Sequence, residues 1–87
     1  MAYEWYSKDG KELIEVRDAE GQYIIPNSVE KIYPMGLYAC YELTSVIIPG
    51  TVKVIGDSAF ESCRGLSSVV VPNSVTEIKK QTFMGCM

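Results

Sequence analysis

A period of about 23 residues constrains this chain more than any other feature of its sequence. Five rows of residues keep that spacing: Pro26, Pro49 and Pro72; Cys40, Cys63 and Cys86; Val29, Val52 and Val75; Ile32, Ile55 and Ile78; and Leu37, Phe60 and Phe83. Five independent rows at one spacing are hard to obtain by chance. Such a repeat is typical of solenoids, whose repeats bury their apolar faces by stacking on one another.

Each repeat has the same internal order. The three repeats are residues 20–42, 43–65 and 66–87, called below the first, second and third repeat. In the second repeat, Leu43-x-x-Val46-x-Ile48 predicts a strand, because β-branched residues favour pleated backbone. Proline ends that strand, since it donates no ladder hydrogen bond. The segment Ala59-Phe60-x-x-Cys63 has i, i+3 spacing, so we expect one helical turn to pack inward there.

The full pattern, L-x-x-V-x-I-P-x-x-V-x-x-I-x-x-x-A-F-x-x-C, resembles the BspA-like leucine-rich repeat family. Residues 43–87 match it closely, and residues 20–42 match in part, because Gly36-Leu37 stands where Ala59-Phe60 stands. The resemblance implies a leucine-rich repeat fold and surface or secreted proteins linked to adhesion, host-protein binding and self-association. The family brings no catalytic residues that could be carried over to this chain.

The predicted fold is therefore α/β and strand-rich: a leucine-rich repeat solenoid of about three coils, each of about 23 residues, with short helical turns on its convex side. Residues 1–19 lie outside the repeats. The residues around Asp9-Gly10 predict a β-hairpin, and a solenoid needs a capping element at its end. We therefore expect residues 1–19 to form an N-terminal hairpin cap and residues 20–87 to form the solenoid.

The aromatic residues gather near the N-terminus, since Trp5 and all six tyrosines precede residue 42. One interpretation is that they cover the end of the stack. The other is that Trp5, with Tyr3 and Tyr6, forms an aromatic platform for a carbohydrate or a peptide. The sequence leaves both open.

The concave face of the strands is the first candidate binding surface. Residues that flank inward positions of a strand must point outward. This places two rows on the outer face: Gln22, Ser45 and Ser68, and Ile24, Ile47 and Val70. The second row is an apolar stripe that could bind a protein or another copy of the chain. The alternative is that β-branched residues occupy exposed strand positions without any binding role.

The C-terminal edge is the second candidate, because no capping sequence follows the third repeat. An uncapped repeat leaves an unpaired strand edge and half-covered apolar rows, which favour pairing with another chain. The residues expected there are Val69, Val71, Val75, Ile78, Phe83 and Cys86. Either the chain is a piece of a longer solenoid, or this edge is closed by a partner subunit.

Composition excludes several classes of function. The net charge is −3 and the eight lysines and arginines are scattered, so nucleic acid and membrane insertion are not expected. There is no histidine, and three cysteines without a fourth ligand do not suggest a metal centre. We expect the thiols to be small buried apolar groups, with Cys86 accessible, and we expect no cofactor. The carboxylates Glu12, Glu15, Asp18 and Glu20 lack the spacing of a calcium loop.

These observations predict a non-catalytic protein-interaction module whose partner is a protein ligand or another copy of itself. No nucleophile elbow, phosphate-binding loop or dinucleotide motif is present. The alternative is a structural piece that forms a homo-oligomer through its C-terminal edge. The compartment stays open, because the resemblance suggests the cell surface or secretion whereas the first residues do not read as a signal peptide.

Overall fold

The computed structural model describes residues 2–86 and contains eight strands. Their bounds are β1 Tyr3–Tyr6, β2 Glu12–Arg17, β3 Gly21–Ile24, β4 Lys31–Ile32, β5 Leu43–Ile47, β6 Val54–Ile55, β7 Ser68–Val70 and β8 Glu77–Ile78. They form a five-stranded sheet, in the order β1-β2-β4-β6-β8, and a three-stranded sheet, in the order β3-β5-β7. Within residues 2–86 there is no apolar helix of membrane-spanning length.

The repeats are held in register by parallel pairing. In the three-stranded sheet, Tyr23 lies opposite Val46 and Val46 opposite Val69. In the five-stranded sheet, equivalent isoleucines of β4, β6 and β8 lie opposite one another. Neighbouring strands in a sheet are about 4.8 Å apart, so each row of like residues becomes a ladder through the core. This confirms the apolar rows that the sequence period predicts.

The N-terminal hairpin is joined to this stack. Strands β1 and β2 pair antiparallel around a turn in which Gly10 has a φ of 76°. Strand β2 then pairs parallel with β4, with Leu13 opposite Ile32. Val16 donates its N–H to the Gly36 carbonyl at 2.7 Å. Leu13 and Val16 are fully buried, so the hairpin contributes core residues as well as two strands.

The expectation of helical turns is wrong, because residues 2–86 contain no helix. Residues 34–39, 57–62 and 80–85 instead form linked turns, called here the turn wall. The second residue of each segment is Met35, Ser58 or Gln81. Their φ values of 60°, 58° and 58° are left-handed, a conformation that an α-helix does not contain. Phe60 N–H donates to the Thr82 carbonyl of the next repeat, at 2.9 Å, instead of to its own turn. The i, i+3 spacing of inward residues is therefore produced by turns that hydrogen-bond between repeats.

The apolar core runs along the stack and is most complete in its middle. Phe60 is fully buried and is the largest such side chain, and Leu37 and Ile55 are equally buried. The equivalent residues of the third repeat are more exposed, at 36% for Phe83 and 49% for Ile78. The third repeat therefore has one face of its apolar rows uncovered.

Side-chain donors also connect successive repeats. The hydroxyl of Thr51 donates to the Val29 carbonyl at 2.7 Å, and that of Ser28 donates to the Gly10 carbonyl at 2.8 Å. These hydroxyls belong to the segment after each proline, which the sequence identifies only as a turn. Ser28 and Thr51 therefore link their repeats to the chain before them, whereas the buried hydroxyl of Ser74, at the same position of the third repeat, has no hydrogen-bond partner among the described residues.

Candidate binding surface

The outer face of the three-stranded sheet, called here the strand face, carries both predicted rows. Pairing aligns Gln22 with Ser45 and Ser68, and aligns Ile24 with Ile47 and Val70. The apolar row is exposed along its whole length, at 62% for Ile24, 46% for Ile47 and 76% for Val70. The intervening Val46 is buried, as the alternation of side chains along a strand requires.

The six residues of the strand face are all uncharged, and none of them titrates near neutral pH. They offer hydroxyl and amide groups beside a ridge of β-branched side chains. Such a surface can bury apolar groups of a partner and exchange hydrogen bonds with it. Its six residues include no acid or base that could activate the two serine hydroxyls.

The C-terminal edge forms a shallow apolar depression. Leu66, Val69, Val71, Phe83 and Cys86 are among the residues that line it. Val69, Val71, Val75 and Cys86 are partly buried against the core, while Ile78 and Phe83 are exposed. All six residues predicted at this edge therefore lie at the exposed end of the apolar rows.

The thiols of the cysteine row form hydrogen bonds with backbone carbonyls. Cys40 and Cys63 are almost fully buried, Cys86 is partly exposed, and all three are free thiols. Each S–H donates to a carbonyl of the preceding segment, as Cys63 does to Leu37 at 3.0 Å. The pKa of Cys63 is raised by its hydrogen bond with the Cys40 thiol and by burial, and burial raises the pKa of Cys86. The same contact with Cys63 lowers the pKa of Cys40 to about 7, so Cys63 and Cys86 are the thiols that stay protonated at neutral pH and act as hydrogen-bond donors.

A tyrosine network ties the hairpin to β3. The hydroxyls of Tyr6 and Tyr23 are hydrogen-bonded to each other, and Tyr23 donates to Glu4 Oε1 at 2.6 Å. Burial is the largest cause that raises the pKa of both hydroxyls, and for Tyr23 the bond to Glu4 raises it further. Tyr6 and Tyr23 thus cover core residues, whereas Tyr3 and Trp5 point outward.

A model of the BspA type leucine-rich repeat region, described as six copies, matches residues 21–87 of the chain. The chain belongs to the BspA-type leucine-rich repeat family. The crystal structure of a leucine-rich repeat protein from T. pallidum is similar, with a TM-score of 0.76 and 23% sequence identity. That match covers 95% of this chain and 42% of the other, so this chain spans less than half the length of the T. pallidum protein. No curated protein sequence matches the chain.

The strand rows of this BspA-type chain follow from its sequence, but reasoning from the sequence missed two features. The first feature is that Leu13, Val16 and Ala19 extend the apolar core into the hairpin. The repeat pattern does not reveal this, because Leu13 and Val16 are three residues apart whereas Ile32 and Leu37 are five apart. Several exposed aromatic residues also gather around the first repeat, and their equivalence to polar residues of the second repeat is the signal that could have found them. Among residues 2–86, no group of His, Cys, Asp and Glu side chains is arranged to hold a metal ion.

Proposed function

We propose that this chain is a non-catalytic protein-interaction module that binds a protein partner through its strand face. The observation that carries the proposal is the exposed and aligned row of Ile24, Ile47 and Val70. Aligned apolar side chains in water favour association, because burying them stabilises a complex by about 25 cal/mol per Å². Membership of the leucine-rich repeat family supports this class of function, and adhesion or host-protein binding is the setting we propose for it.

The size and chemistry of the strand face favour an extended segment of the partner. Three strands about 4.8 Å apart present a row only about 10 Å long, which is much smaller than a standard interface between folded proteins. Ser45 and Ser68 lie beside the ridge and can donate to or accept from a peptide backbone. A segment that places one apolar side chain on the ridge and its backbone over the serines fits both features.

A peptide library displayed on phage and selected against the chain tests this proposal. Replacing Ile24, Ile47 and Val70 by Ser should abolish binding of the selected peptides, because it extends the neighbouring serine row without adding charge. Met84→Ser is the matched control, since Met84 is exposed but lies outside the strand face. Peptides that bind the triple variant as tightly as the original chain would overturn the assignment of this face.

We also propose that residues 20–87 form three coils and that residues 1–19 close their N-terminal end. The pairing of β2 with β4 and the complete burial of Leu13, a residue of the second hairpin strand, support this division. Replacing Leu13 by Ala should destabilise the whole chain by about 2–5 kcal/mol, since a buried leucine is truncated. A loss confined to local hairpin order, with the main unfolding transition unchanged, would contradict the capping role.

A second candidate function is self-association through the C-terminal edge. It is favoured by the contrast between Phe83, which is 36% exposed, and its buried equivalent Phe60. Light scattering after size exclusion should give more than the chain mass of 9.7 kDa, and Phe83→Glu should restore that mass. A species that dissociates on reduction would assign the contact to Cys86 thiols instead, and a monomer at all concentrations would remove this candidate.

A further inference from the structure

Large side chains are exposed together around the first repeat, and none of them belongs to the strand face. Met35, Tyr38 and Tyr41 come from the first repeat, and Tyr3 comes from β1. Their exposed fractions are 50%, 43%, 55% and 56%. We call these four residues the aromatic surface.

The second repeat acts as an internal control for this surface. One period after Met35, Tyr38 and Tyr41 stand Ser58, Glu61 and Arg64. The backbone is the same at both places, as the left-handed φ values of Met35 and Ser58 show. The fold therefore accepts polar residues at these positions, and its stability does not explain the large apolar ones in the first repeat.

Two adjoining depressions flank the aromatic surface. One, of about 440 Å³, is lined by Met35, Tyr38 and Glu15 among others. The other, of about 370 Å³, is lined by Tyr3, Tyr41 and Glu42 among others. Asp18 and Ala39 line both, so the depressions are continuous along this side of the molecule.

The charge around the aromatic surface is negative. The two depressions are lined by four carboxylates and one cation: Glu15, Asp18, Glu20, Glu42 and Arg17. Arg17 already bonds to Glu15, with its Nε 2.6 Å from Oε2. Arg64 is a second cation, beside Tyr41, so four carboxylates face two cations and a positively charged group entering between the rings of Tyr3 and Tyr38 would meet a net negative charge.

The chain's own cations show how such a group would be held. The Arg64 guanidinium lies over the Tyr41 ring, 5.1 Å from its centroid, and Arg17 lies over Trp5 at 5.3 Å. A cation within about 6 Å of an aromatic centroid is attracted by the ring. The rings of Tyr3 and Tyr38 offer the same chemistry to a partner.

We propose that the aromatic surface binds a basic peptide segment, whose lysine or arginine side chains lie over the tyrosine rings and between the flanking carboxylates. The partner's charge follows from the carboxylates, and its extended form follows from the two depressions being joined at Asp18 and Ala39. This surface and the strand face are separate, so one module can hold two segments at once.

Calorimetric titration of the full chain with hexa-arginine, at low salt, tests the proposal, with hexaglutamate as the opposite-charge probe. We expect hexa-arginine alone to bind, and its binding to weaken as salt is added. Asp18→Asn with Glu42→Gln should weaken binding about tenfold, since two facing charges are lost. Glu30→Gln with Glu61→Gln is the matched control, because it removes the same charge outside the two depressions and should change the affinity less than twofold.

A second variant separates the rings from the charge. Tyr3→Ser with Tyr38→Ser leaves every carboxylate in place and should weaken hexa-arginine binding about fivefold, from loss of two cation–ring contacts. Circular dichroism confirms that each variant keeps the fold. The proposal would be overturned if the control charge variant weakened hexa-arginine binding as much as the Asp18 and Glu42 variant, or if the tyrosine variant kept full affinity. Loss of hexa-arginine binding on replacing Ile24, Ile47 and Val70 by Ser would also overturn it.

Discussion

The rings of Phe60 and Phe83 are stacked nearly parallel, with centroids 5.6 Å apart and planes inclined by 4°. Phe60 is fully buried, whereas Phe83 has one side uncovered. Phe60→Ala should therefore destabilise the chain by about 3–5 kcal/mol, the usual range for a buried phenylalanine, and Phe83→Ala by roughly half as much. Urea unfolding of the two variants measures the difference. Equal losses would show that Phe83 is as well covered as Phe60.

Close backbone packing between the first and second repeats depends on Gly56. A Cβ added there would lie 2.6 Å from the Pro34 nitrogen and 2.8 Å from the Tyr33 carbonyl carbon. Because both neighbours are backbone atoms, Gly56→Ala should destabilise the chain by about 2–3 kcal/mol.

Gly50→Ala is the matched control for that substitution. A Cβ at Gly50 meets nothing within 4 Å, and a glycine that is replaced without strain usually leaves stability unchanged or slightly higher. Thermal unfolding of both variants should therefore separate them by several degrees. Similar melting temperatures would mean that the first repeat moves away from position 56 at little cost.

The tyrosine network should make stability depend on alkaline pH. The pKa of Tyr6 and that of Tyr23 are raised in the folded chain, so folding is favoured while both hydroxyls are protonated. This contribution is complete below a pH of about 10, the value for an exposed tyrosine, and is lost as the pH rises above it. Tyr23→Phe should reduce the slope of unfolding free energy against pH in that range. A slope identical to that of the original chain would contradict the role of the network.

The thiols should differ in reactivity. Cys40 and Cys63 are 2% and 0% exposed, whereas Cys86 is only partly buried, so one thiol should react with a disulfide reagent in the native chain and all three after unfolding. Because the pKa of Cys86 is raised, the reaction should be slow at neutral pH and faster at higher pH. Absorbance of the released thiolate measures this, and Cys86→Ser should remove the native reaction. Rapid reaction of a second thiol would show that the core opens readily.

The sequence predicts the rows of this fold well, because the spacing of Ile32, Ile55 and Ile78 directly reflects stacking. It predicts the strand face for a similar reason, since side chains alternate on a strand and Ile47 must point away from Val46. The turn wall could not be predicted in the same way. Its i, i+3 spacing suits a helix equally well, and non-glycine residues such as Met35 and Ser58 give no signal of a left-handed backbone.

The aromatic surface was also hidden in the sequence, for a different reason. Tyr3 and Tyr41 are far apart in the chain, and only the pairing of β1 with β2 and of β2 with β4 brings them to one depression. Periodicity identifies residues that are equivalent between repeats. It does not identify non-equivalent residues that meet at the surface.

Within the turn wall, the backbone N–H groups that bond between repeats all donate to the following repeat, whereas the N–H groups that alternate with them bond within their own turn. Leu37 N–H donates to the Ala59 carbonyl of the following repeat, and Phe60 N–H donates to Thr82. These amides in each repeat are therefore protected from solvent by the repeat that follows. Opening the third repeat would expose the amides of the second, and opening the second would expose those of the first. Amide hydrogen exchange should therefore slow progressively from Phe83 to Phe60 to Leu37. The order in which the repeats open would then be set by the direction of these hydrogen bonds and not by the composition of each repeat.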